Sequence, residues 1–116
     1  MSFDYGRLKE ISTIADTAAS VYSNPVSTKS YVRLIVLHNT NTTSETVVLY
    51  NVPDNAEAVG TAADTNKFFD IAIEADGTYI VDLGTPGLIL EDTNDSIQAV
   101  TTTASKVTIQ IMGGTE

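Results

Sequence analysis

The chain has 116 residues and a formal net charge of −9, from fifteen acidic and six basic residues, with no cysteine and no tryptophan. That length fits one domain large enough to bury a core. The charge excludes the basic footprint expected of a DNA-, RNA- or anionic-membrane-binding protein, and the missing cysteines exclude disulfides and thiolate metal sites.

Residues 1–19 read as an N-terminal arm or edge segment. Met1 to Ser12 mixes Arg7, Lys9 and Glu10 with Leu8 and Ile11, which allows a helical turn or an extended arm. Met1 to Leu8 has no apolar core of the secretory type, and no run in the chain approaches the length of a membrane helix. Ile11 to Ala19 is rich in Thr and Ala and suits a weak edge strand. Residues 20–116 read as the folded domain. Ser20 to Ser23 is a short strand, turned by Asn24-Pro25, where Pro fixes φ. Lys29 to Asn39 and Glu45 to Val52 form a hairpin around the polar stretch 39–45. Pro53 ends it, because Pro cannot donate to a ladder.

Glu57 to Asn66 is a loop, with a short helix over Ala56 to Val59 as the lesser option. Lys67 to Glu74 is a strand, Ala75-Asp76-Gly77 a tight turn with Gly taking positive φ, and Thr78 to Leu83 the returning strand. Gly84 to Gly87 turns the chain again. Leu88 to Leu90, Ser96 to Thr102 and Lys106 to Met112 are the remaining strands, and Gly113 to Glu116 reads as a soft tail. Strands of this length, with turns every eight to twelve residues, predict an all-β fold: a single antiparallel β-sandwich, jelly-roll-like, of seven to nine short strands.

The longest ribbon, Tyr31 to Val52, carries apolar side chains on both faces. Strict alternation sets Val32, Leu34 and Val36 against Tyr31, Arg33, Ile35 and Leu37, and Val47 and Leu49 against Val48 and Tyr50. A sandwich exposed to water on its outer faces needs only one apolar face per strand. The surplus predicts a surface covered either by other subunits, in closed symmetry, or by loops 53–66 and 1–20 folded over it. The candidate interface residues are Tyr31, Arg33, Ile35, Leu37 and Tyr50.

Candidate chemistry is sparse. His38 is the only histidine, and no nucleophile elbow accompanies it. The ordinary reading is a strand-end His bonded by a neighbour. Asp92 and Asn94 echo the first ligands of a calcium loop, without its Gly and distant Glu, so a solvated turn is the simpler account. The sequons at Asn41 and Asn94 carry no weight without a secretory signal. The aromatics suit packing better than a sugar platform. No enzyme and no cofactor is expected from these residues.

Two segments carry a resemblance: L-H-N-T-N-T-T-S-E-T-V-V-L-Y-N-V-P (Leu37 to Pro53) and L-I-L-E-D-T-N-D-S-I-Q-A-V…S-K-V-T-I-Q-I-M-G-G-T-E (Leu88 to Glu116). They resemble small all-β virion proteins of tailed bacteriophages, over roughly residues 20–116. The resemblance implies a decoration or cement protein on the outside of the capsid, with the major capsid protein as partner and a homotrimer as the common assembly. It implies location in the virion, after synthesis in the host cytoplasm, and brings no catalytic residues. A head-fibre, neck or tail-tip module, which could bind glycans, is the alternative of the same architecture. Residues 1–19 fall outside the resemblance; as an arm gripping the capsid they would use Arg7 and Lys9.

Overall fold

The computed structural model describes residues 4–116. The described residues form nine strands in chain order: β1 (Asp4–Thr13), β2 (Ala19–Ser23), β3 (Ser30–Asn39), β4 (Glu45–Val52), β5 (Lys67–Ile73), β6 (Thr78–Asp82), β7 (Leu88–Leu90), β8 (Ser96–Thr101) and β9 (Val107–Thr115). One sheet has the order β1-β9-β3-β6, with β7 also pairing β3; the other is β2-β8-β4-β5. All pairings are antiparallel. β6 and β7 lie along successive parts of β3, so the two sheets hold four lanes each. This alternation of chain between sheets is the jelly-roll arrangement of two Greek keys.

The core lies between the sheets. Ile35, Leu37, Ile109 and Ile111 from the first sheet meet Val47, Leu49, Ile97 and Ala99 from the second, all buried. The β-branched residues that dominate this set fit the pleat, which is why these runs become strands.

The alternation of β3 does not run unbroken. Arg33 and Leu34 together oppose Met112, a β-bulge between the Val32↔Gly113 and Leu34↔Met112 pairs. An extra residue in one strand inverts the phase beyond it. Val32, Ile35 and Leu37 are therefore the buried set, and Tyr31, Arg33, Leu34 and Val36 the outward one. Ile35 and Leu37 belong to the core rather than to an interface, which corrects the strict alternation.

The expected hairpin of β3 and β4 does not form: the two strands lie in different sheets, as do β5 and β6, because each connection crosses from one sheet to the other rather than folding back beside its own strand. Three further segments depart from the sequence reading. Residues 113–115 are strand rather than tail, and Glu116 exchanges backbone hydrogen bonds with Lys29. Gly113 is required there, since a Cβ would collide with the Tyr31 carbonyl oxygen where β3 bulges toward β9. Ala56 and Glu57 form a tight turn, both with positive φ, closed by the Asn55↔Ala58 bridge instead of a helix. In the turn after β5 it is Asp76 that takes φ 57°, not Gly77.

The ends of the sandwich are closed by buried polar side chains. At one end Asn39 donates through Nδ2 to the carbonyls of Thr43, Ile73 and Glu74 and accepts from the Asn41 N–H. Beside it Glu45, 2% exposed, accepts from Asn41 Nδ2 at 2.9 Å and from the Thr103 N–H at 2.8 Å. At the other end Asn24 donates to the carbonyls of Thr28 and Asp92 and accepts from Ser30 Oγ.

Candidate interaction surface

Because Ile35, Leu37, Ile109 and Ile111 point inward, the opposite phase of the same strands forms the outer face of the five-stranded sheet. Its middle consists of Leu34 and Val36 on β3, Gln110 and Met112 on β9, and Ile80 on β6, which pairs with Val36. Leu34, Val36 and Met112 are half-buried, while Ile80 is 58% exposed. Toward one end lie Ile89, paired with Tyr31, and Tyr5, paired with Gly114, at 38% and 56% exposure. A contiguous apolar strip of this kind on a monomer's surface is the usual mark of a contact site.

Tyr31 and Arg33 lie on this face. The Tyr31 hydroxyl donates to Glu116 Oε1 at 2.7 Å, and that bond, which the carboxylate makes with the neutral phenol, pushes the phenol up from its ordinary value. The Arg33 guanidinium sits over the Tyr5 ring at 5.6 Å. Arg7 shares the face, exposed, opposite Met112. Lys9 is half-buried on β1 between two irregularities of register. β1 is thus an edge strand of the sheet. Tyr50 is elsewhere, on the outer face of the four-stranded sheet, opposite Gln98. That face is partly covered: the loop after β4 folds back, and Gln98 Nε2 donates to the Gly60 carbonyl at 2.8 Å. Loop cover therefore operates on the four-stranded sheet, at the end bearing Val52, Ser96 and Gln98, all buried.

Two polar constellations deserve comparison with this strip. His38 bonds Thr78 Oγ1 through Nδ1 at 2.8 Å and lies 3.2 Å from Asp76 Oδ1 through Nε2. The sequence reading missed this group, because the antiparallel pairing of the non-consecutive strands β3 and β6 brings together residues forty apart. It has the composition of a hydroxyl–imidazole–carboxylate relay, but His38 and Asp76 are 36% and 90% exposed, on a sheet rim facing water. Nucleophile activation of that kind relies on a sheltered site with oxyanion donors, and three grooves among the described residues are lined by other side chains.

The second is Asp54, Asp92 and Asp95, whose carboxylate oxygens lie within 4.8 Å of one another. Asp54 comes from the loop after β4, which the calcium-loop comparison did not include. Asn94 is directed to the Glu57 carbonyl at 2.7 Å instead. Asp95 accepts backbone N–H bonds from Asp54 through Oδ1 and from Glu91 and Asp92 through Oδ2. Those bonds make it the organiser of a turn.

No helix among the described residues is long and apolar enough to cross a membrane. No protein family matches this chain, and no curated protein is similar to it.

Proposed function

We propose that this chain is a structural, non-enzymatic part of a bacteriophage particle, a decoration protein that binds the outside of the assembled capsid. The observation that carries the reading is an apolar strip of Leu34, Val36, Ile80 and Met112 that calls for protein cover within an assembly, by another copy or by the capsid, on a chain whose polar groups form no sheltered catalytic site among the described residues. The motif resemblance and the acidic, cysteine-free composition support it. The jelly roll recurs in viral capsid and lectin domains, which is an analogy of fold alone. The effect on the particle is mass action: a protein that binds only the assembled lattice stabilises it by its binding free energy.

The test is sedimentation of the purified chain with capsids of the encoding phage and, separately, with unassembled capsid protein. Recovery in the capsid pellet alone is the expected result. A chain left in the supernatant with assembled capsids removes the decoration role. Binding to a defined oligosaccharide on a glycan array, with no capsid binding, would instead support the fibre or tail-tip reading.

A further inference from the structure

We infer that a second copy of this chain covers the outer face of the five-stranded sheet, related by a two-fold axis running parallel to the strands. The charges on that face carry the argument. One row crosses the sheet from edge to edge: Arg7 on β1 pairs with Met112 on β9, Met112 with Leu34 on β3, and Leu34 with Asp82 on β6. The row is cationic at one edge, apolar in the middle and anionic at the other edge. Arg7 and Asp82 are both exposed.

A two-fold axis along the strands, above the middle of the sheet, exchanges its two edges. It lays Leu34 and Val36 on β3 of one copy over Met112 and Gln110 on β9 of the other, and Ile80 on β6 over the partner's β1. It also brings Arg7 of each copy to Asp82 of its partner, twice by symmetry. Aligned sheets pack roughly 10 Å apart, within reach of an arginine from each side. The face is thus self-complementary, as an isologous contact requires. The chain's net charge of −9 does not oppose the contact locally, because most of its acids, among them Asp54, Glu57, Asp92 and Asp95, lie outside the strands of this sheet, and Glu116, which reaches the face, accepts the Tyr31 hydroxyl there. The arrangement is two-fold, not the threefold one that the resemblance implies, and it holds whether or not the chain binds a capsid.

Sedimentation equilibrium on the purified full chain tests it, with circular dichroism melts confirming that each variant folds. The expected mass at high concentration is twice 12.4 kDa. Arg7→Asp and Asp82→Arg are each expected to raise the dissociation constant about tenfold, and the double variant to recover most of the loss, since it restores opposite charges at both contacts. Val36→Glu is expected to leave a monomer. A wild-type chain that stays at the single-chain mass, one that settles at three times that mass, or association indifferent to both charge reversals would each overturn the inference. Capsid sedimentation reports separately on the decoration role.

Discussion

Asn39 and Glu45 show how single side chains hold the sandwich shut. Asn39 satisfies three carbonyls, one in its own turn and two at the end of β5, so Asn39→Ala leaves buried acceptors without donors. It is expected to cost about 2–4 kcal/mol in chemical denaturation. Glu45 is subject to opposed effects: burial pushes its carboxyl up, while the hydrogen bonds from Asn41 and Thr103 and the charge of Lys106 push it down, and the latter prevail. The folded value is therefore below the ordinary 4.5. Its contribution to stability is complete above that pH and is lost as pH falls through the folded value. Glu45→Gln is expected to melt lower than wild type at neutral pH, with the gap closing on acidification. A gap independent of pH would contradict the assignment.

Among the elements, β3 and β9 decide the architecture, and Gly113 decides how they meet. Gly113→Ala is expected to destabilise by about 3 kcal/mol or more, since a backbone carbonyl must move. Its partner across β1, Gly6, has open space where a Cβ would go, so Gly6→Ala serves as the control and is expected to stay within about 0.5 kcal/mol. Equal effects at the two sites would contradict the close-approach account. The same region marks the limit of what the sequence reveals. Period-two alternation and turn residues locate β4, β5 and β8 within a residue or so, because each lies between clear breakers. The bulge at Arg33 leaves no local signal in Y-V-R-L-I-V-L, so the face of Ile35 and Leu37 is unreadable without the partner strand. Two adjacent glycines likewise read as a tail, although they serve as strand beneath a close neighbour. The candidate surface was half legible: Tyr31, Arg33 and Arg7 do share it, while Leu34, Val36 and Ile80 emerge only from the corrected phase. The His38–Thr78 contact and the Asp54–Asp95 turn depend on cross-strand and cross-loop proximity that spacing does not encode.

For the molecule as a whole, the sandwich distributes its surface unequally. Loop acids dominate the ends, one sheet's outer face is partly closed by the loop after β4, and the other's presents an apolar strip. Two copies that meet there carry like net charge, so raising the salt concentration is expected to strengthen their association in light scattering by screening the remote acids. Weakening with salt would place the charged pairs, rather than the apolar strip, as the main source of affinity. The central claim is that the outer face of the five-stranded sheet is a covered surface in the working state of the protein. Oxidative footprinting of Met112 measures this most directly, by following sulfoxide formation in its peptide as protein concentration rises. The account predicts that Met112 is progressively protected, while exposed residues of the loops oxidise at a constant rate. Met112 oxidation unchanged from dilute to concentrated solution, and unchanged again when the chain is mixed with capsids, would contradict it.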